Sequence, residues 1–178
     1  TRGNGEVGEV ITPNARVFRN IPGRIAYQGS LVLRGEAVIP YSEFEKINAQ
    51  IEDADAKYKN PRNLCSGSVR QLNNEITAKR SVYFYAFSYV KAELDGAEPP
   101  FENDRENQFR FLKEQGFDVV PYKRVNADTI LAEIEWYAQA IQTYDIPSDG
   151  LVLCYCDLAY SASLGLTAKF PRDSIAFK

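Results

Sequence analysis

The sequence contains no histidine, no methionine and a single tryptophan, and only three of its 178 residues are cysteine. Without histidine there is no Ser-His-Asp or Cys-His catalytic unit and no imidazole-ligated metal. Any chemistry on this chain falls to Lys, Arg, Asp and Glu. The odd cysteine count (Cys65, Cys154 and Cys156), with no basic-then-apolar leader, argues against a disulfide framework and for a reducing compartment, expected to be the cytoplasm. Cys154 and Cys156 are expected to share a strand face. With no further Cys or His they cannot complete a tetrahedral zinc site, so they read as ordinary core or surface residues and no metal ligand is assigned. No apolar run reaches the length of a membrane-spanning helix, so no membrane association is expected. The chain opens on Thr1-Arg2-Gly3 rather than on methionine, as expected of a fragment.

What is present suits a globular domain with one core: 44% hydrophobic and 25% charged residues. The net charge of −3 argues against bulk nucleic-acid binding, but the charge is unevenly spread. Lys57 to Arg80 holds six basic residues and one acidic one, a local +5, whereas Ala92 to Asp118 holds eight acids and three bases, a local −5. A basic stretch in an acidic protein is either a solvated face or the footprint of a phosphate ligand.

Patterning predicts a buried strand over Leu31–Ile39 and a helix to about residue 52, opened by a Ser42-to-Glu45 capping box. A structured loop leading into a short helix is expected over Asn60–Gln71. Strands are expected over Val82–Val90, Phe117–Lys123, Leu151–Tyr155 and Ser174–Lys178. Two further helices are predicted. One spans Phe101–Gln115, with Glu106 and Arg110 paired and Gly116 as its stop. The other starts after Asn126 or Asp128 and carries Ile130, Leu131, Ile134, Tyr137, Ala138 and Ile141. The stretch after Tyr155 reads as a loop. Without regular βαβ alternation the expected class is α+β, mainly antiparallel sheets with flanking helices, in one domain over 1–178.

Four segments carry possible chemistry. In Arg34-Gly35-Glu36, charges interrupt an apolar strand and the two charged residues share one face. Either they form a cross-strand ion pair on an edge strand, or Glu36 receives sugar hydroxyls. In Asn60-Pro61-Arg62-Asn63 through Gly67-Ser68-Val69-Arg70-Gln71, small residues lie between two arginines whose forked guanidinium groups match phosphates. A capped surface helix with stray arginines is the other reading. Asp149-Gly150 is a tight turn into a buried strand, or an acid placed beside a site. At the ends, Arg2 in a Gly-rich turn and Lys178 closing Ile175-Ala176-Phe177 could each meet a phosphate, or be ordinary surface residues.

In order, these segments resemble the adenylation domain of bacterial NAD-dependent DNA ligases. The matching stretches are Thr1-Arg2-Gly3-Asn4-Gly5 with Gly8-Glu9 and Asn14, Leu33-Arg34-Gly35-Glu36-Ala37, Asn60–Asn63 with Gly67–Gln71, Asp149–Leu153, and Leu164–Thr167 with Pro171-Arg172 and Ile175–Lys178. The resemblance covers nearly the whole chain. It implies a nucleotidyltransferase (ATP-grasp-like) fold, NAD as AMP donor, Mg²⁺, no zinc site in this segment, and nicked duplex DNA as partner in replication and repair. A monomeric parent protein is expected. By resemblance Glu36 holds the ribose, Phe87 stacks on adenine and Arg2 contacts the adenylate or the nick. Arg62 and Arg70 engage phosphates, Asp149 serves the active site and the divalent ion, and Lys178 neutralises the α-phosphate.

Departures from the family pattern are equally specific. The nucleophilic lysine of the family's KxDG motif lies upstream of the segment matching Thr1–Gly5. The 178-residue chain alone is therefore expected neither to self-adenylate nor to seal nicks. Cys154 stands where the family usually has lysine, Asn4 where it has aspartate and Asp173 where it has tryptophan. These changes leave open a degenerate, non-catalytic relative that binds nucleotide or nicked DNA. An ATP-using ligase or capping-type enzyme is a third reading, against which the two-arginine segment speaks.

Overall fold

The computed structural model describes residues 7–167 and 170–177. Its elements run α1 (Thr12–Ala15), β1 (Ser30–Val38), α2 (Tyr41–Ala49), α3 (Pro61–Ser68), α4 (Asn74–Ala78), β2 (Tyr83–Glu93), α5 (Arg105–Glu114), α6 (Ile130–Ala140), β3 (Leu151–Cys154), α7 (Leu158–Leu164) and β4 (Ser174–Phe177). Single 3₁₀ turns lie at Ala54–Ala56 and Ile141–Thr143. Two antiparallel hairpins, β1–β2 and β3–β4, carry the helices around them, as an α+β class requires. No helix among the described residues is long and apolar enough to cross a membrane.

Strand β1 alternates between exposed and partly buried residues along its length. Leu31, Leu33 and Ala37 point to the core; Ser30, Val32, Arg34 and Glu36 are exposed on the opposite face. That is the period-two rule acting on one covered and one open sheet face. The covered face carries two adjoining clusters. Phe18, Ile39, Leu64, Cys65 and Val82 pack under α3, and Ala86, Phe109, Leu112 and Val119 pack under α5, with Phe84 touching both. Gly35 permits this packing, because a Cβ there would lie 2.3 Å from the Phe84 ring and 2.4 Å from the Tyr85 carbonyl.

Helix α3 extends further back than the loop the sequence suggests. The Asn60 side chain accepts the Asn63 N–H at 2.8 Å and Pro61 fills the first turn, so the helix opens at once. The capping box at Ser42 does not form. Ser42 is already inside α2, and its N–H and hydroxyl reach the Asp145 carboxylate at 2.8 and 2.7 Å. Helix α5 starts only at Arg105, where Asp104 accepts the Glu106 N–H, and it ends as expected before Gly116 at φ 87°. Glu106 lies 3.5 Å from Arg124, and no ion pair joins it to Arg110.

Residues 117–123 do not form a strand. The Asn20 side chain occupies the backbone N–H and carbonyl of Phe84 at 2.7 Å each, which closes the sheet edge on that side of Ala86. Ala86 alone pairs with this segment among the described residues, as one parallel bridge to Val119. The stretch after Tyr155 is helical rather than a loop, because Asp157 caps α7 by accepting the Tyr160 N–H at 2.7 Å. Strand β3 stops at Cys154, so Cys156 lies beyond it and the two thiols do not share a strand face. All three thiols are free.

Candidate nucleotide and phosphate site

The open face of the β1–β2 hairpin gathers two of the expected residues. Glu36 lies opposite Tyr85 in the register. The ladder slips between Arg34 and Gly35, which oppose Ser88 and Ala86, and leaves Phe87 as the extra residue of a bulge. Bulges re-aim side chains. Ala86 goes to the core and Phe87 to the open face, where its ring is 46% exposed. An exposed carboxylate and an exposed ring thus stand near one another on a rigid sheet. Neither Arg34 nor Glu36 takes part in an ion pair among the described residues, so the cross-strand pair that could have explained them is not there.

Helix α3 packs on the end of β1 beside Glu36. The buried Cys65 thiol donates to the Ala37 carbonyl at 3.1 Å. Burial, with the Glu36 charge adding to it, pushes that thiol up to about 12, so it remains protonated and chemically quiet. The outer side of α3 carries Arg62, Asn63 and Ser66, with Arg70 just past its end. Arg62 and Arg70 are exposed and make no ion pair among the described residues. Arg80 is diverted from the basic stretch into the fold. It donates to Ser68 Oγ at 3.2 Å and stacks 5.5 Å from the Tyr58 ring centroid.

Asp149 lies at the entrance to β3, exposed and without a partner among the described residues. Its loop is held by Tyr137, whose hydroxyl bonds Ser148 Oγ and donates to the Gly150 carbonyl at 3.3 Å. No hydrogen bond joins the Asp149 loop to Glu36 or Phe87 among the described residues. Arg2 and Lys178 lie outside the described residues. An open groove of about 480 Å³, lined by Val10, Ile11, Ala15, Arg16, Ile21 and Pro22 among others, includes none of the expected site residues. No three acidic or thiol side chains converge on a metal position among the described residues. Glu36 and Asp149 are single carboxylates. Such groups fit Mg²⁺, which is commonly bound through one or two carboxylates plus substrate phosphates rather than by an all-protein cage.

Two supporting roles, those of Asn14 and Arg105, escape sequence reading because the partners are far away along the chain. Asn14, 5% exposed, donates to the carbonyls of Val69 and Gln71 at 2.9 Å each and so holds the end of α3. Arg105 ties the β3–β4 hairpin to α5: it donates to Tyr155 O at 2.9 Å, Ser161 Oγ at 3.2 Å and Asp173 Oδ2 at 2.6 Å. The last contact gives the unusual Asp173 a structural purpose. Replacing Asp173 with Ala leaves a largely buried guanidinium without its carboxylate and is expected to cost about 1.5–3 kcal/mol. Urea denaturation of the two forms checks this; equal midpoints and slopes would show the pair contributes nothing.

The family described as NAD-dependent DNA ligase adenylation domain matches residues 1–178. A DNA ligase of Ruminiclostridium cellulolyticum is 61% identical over 178 residues, covering 100% of this chain and 26% of that protein. A DNA ligase of Lachnoclostridium phytofermentans is 60% identical over 179 residues, and one of a Thermoanaerobacter species 39% over 181; each match covers the whole chain and 27% of the relative. The chain thus spans about a quarter of the length of these relatives. A whole-length family match, with relatives at this identity, places the chain in the NAD-dependent DNA ligase adenylation-domain family.

Proposed function

We propose that this chain is the AMP-handling part of an NAD-dependent DNA ligase that seals nicks in duplex DNA. The observation that carries the reading is the open face of β1–β2, where Glu36 and Phe87 stand exposed together with no ion pair to Glu36 among the described residues. A carboxylate is suited to accept the two ribose hydroxyls, and an aromatic ring beside it to stack on adenine. Arg62 and Arg70 would take phosphates of DNA or nucleotide. Arg2 would contact the adenylate or the nick, and Lys178 would neutralise the α-phosphate. Asp149 would serve the divalent ion, Mg²⁺, which arrives with the phosphates.

The reaction this arrangement serves is phosphoryl-type transfer. A lysine nitrogen supplied outside the 178 residues attacks the AMP phosphorus of NAD, and nicotinamide mononucleotide leaves. AMP then passes to a 5′-phosphate at the nick, and the 3′-hydroxyl displaces it. Positioning and charge neutralisation are what the protein contributes. The domain is proposed to have the nucleotidyltransferase (ATP-grasp-like) fold. Large apolar side chains left exposed among the described residues support a role as part of a larger unit: Leu131 and Trp136 of α6, 69% and 64% exposed, and Val152 and Ile175 on the two faces of the β3–β4 sheet. The free thiols suit the cytoplasm, and the parent protein is proposed to act as a monomer.

The test is a nick-sealing assay on the polypeptide that contains this chain, following NAD and ATP separately. NAD consumption with sealing and no ATP consumption is expected; ATP consumption would favour the ATP-using branch. Cys154, exposed at the end of β3 opposite Ser174, motivates a second reading as a non-catalytic nucleotide binder. Adenine nucleotide bound without sealing, with activity appearing on Cys154→Lys, would establish that reading instead.

A further inference from the structure

The Asp149 side chain has no partner of its own among the described residues, so its place is set by whatever fixes the chain on either side of it. A first pin is local. Tyr137 of α6 bonds Ser148 Oγ and the Gly150 carbonyl, but α6 lies just before the loop and none of its residues is buried, so this pin ties the loop to its own neighbour. A second pin reaches across the chain. Asp145 stands four residues before Asp149, with Pro147 between them limiting the backbone. Its carbonyl accepts the Tyr41 N–H at 2.8 Å, and its carboxylate accepts the Ser42 N–H at 2.8 Å and the Ser42 hydroxyl at 2.7 Å.

These bonds have an identifiable cause. Helix α2 begins after Pro40, which offers no side chain to cap it. The first N–H groups of a helix lack partners within it, and Asp145 supplies acceptors for two of them from outside. The bonds from Ser42 hold the Asp145 carboxyl below the ordinary aspartate range, so it is ionised at neutral pH and suits the positive end of the helix. Helix α2 follows directly on β1, the strand that carries Glu36. The β3–β4 hairpin has a further tie, from Arg105 to Tyr155 and Asp173, but that tie lies at the far end of β3, six residues from Asp149.

We infer that Asp145 is a positioning residue, a clasp on the start of α2 that holds the Asp149 carboxylate in place relative to the sheet carrying Glu36. The inference rests on the role proposed above for Asp149 at the divalent ion. Asp145 acts through Asp149, and its bonds are spent on α2 rather than on nucleotide. With the clasp gone, the loop keeps its pin to α6 and loses its hold on the part of the fold where Glu36 stands.

The test is a double-mutant cycle in the adenylating polypeptide, read by single-turnover AMP transfer from NAD well below the thermal midpoint of each variant. Asp145→Ala is expected to slow transfer about 10- to 100-fold, the effect of an ångström-scale misplacement. Asp145→Asn keeps an oxygen for the Ser42 N–H and an amide N–H for the Ser42 hydroxyl oxygen, and is expected to stay within about threefold of the parent. In an Asp149→Ala background, Asp145→Ala is expected to slow transfer by less than about twofold more, because the group it positions has gone. Amide exchange in the Asp145→Ala variant is expected to quicken across residues 145–150 as well as 41–44, a sign of a released loop that does not depend on activity. The inference alone is overturned by parent rates or parent exchange in Asp145→Ala, by a failure of Asp145→Asn to keep the rate, or by a full Asp145→Ala effect in the Asp149→Ala background. Parent rates in Asp149→Ala would overturn it together with the reading of Asp149 on which it rests.

Discussion

Incubated with NAD and Mg²⁺, the 178-residue chain is expected to gain no AMP by intact mass. Attack on the AMP phosphorus needs an unprotonated lysine nitrogen, and enzymes obtain one by depressing the lysine pKa beside other cations or by burial. For two of the described lysines the environment works the other way. Lys46 is held above the ordinary lysine value by its hydrogen bond and ion pair with Glu43, and Lys91 likewise by Glu93. A raised pKa means an ammonium at neutral pH, with no lone pair to offer. Lys123 is paired with Glu133, and Lys113 lies 4.6 Å from the Tyr122 ring centroid. Neither Asp95-Gly96 nor Asp149-Gly150 has a lysine two residues before it, as a KxDG motif requires. A gain of one AMP on this chain would overturn the prediction and show that one of its own lysines is the nucleophile. The same mass measurement on a polypeptide extended to include a KxDG lysine is expected to show the gain.

The second large effect concerns Glu36. In the adenylating polypeptide, Glu36→Ala is expected to lower the rate of AMP transfer from NAD about 10²- to 10³-fold. The reasoning is that a carboxylate bound to two ribose hydroxyls makes two charge-assisted hydrogen bonds of about 1.5–3 kcal/mol each, part of which is felt in the transition state. Glu36 is exposed and makes no ion pair within the described structure, so the substitution is expected to move stability by no more than about 0.5 kcal/mol. Single-turnover adenylation measured beside thermal denaturation separates the two effects. Wild-type rates in the variant would remove Glu36 from the site, and a rate loss that tracks a collapse in stability would make its role structural. Glu36→Gln keeps the shape and one acceptor, and is expected to fall between the two.

Local rules were legible in the sequence wherever a residue's partners are its neighbours along the chain. The apolar run Leu31–Ile39 determined the strand, and its period of two placed Arg34 and Glu36 on one face; the strand is not buried as expected, because that face is open to solvent. Gly116 stopped α5 because its positive φ is open to glycine. The ordered motifs, each common alone, determined the family. The expected strand at 117–123 failed for the opposite reason. Whether a chain segment joins a sheet depends on which backbone groups are free to receive it, and Asn20, almost a hundred residues earlier, had taken those of Phe84. The Ser42 capping box failed likewise, because Asp145 competes for the same side chain and N–H.

The sequence by itself determined the chemical groups available: no imidazole, a carboxylate on a strand, arginines among small residues, and no KxDG lysine. Only the tertiary structure decided which of those groups remain free. Arg80 and Arg105 are drawn inward by Ser68, Tyr58 and Asp173, whereas Arg62, Arg70 and Glu36 form no ion pair among the described residues. A charged side chain becomes structure or site according to whether a distant segment brings it a partner, and that is settled by packing across the fold rather than by spacing along the chain.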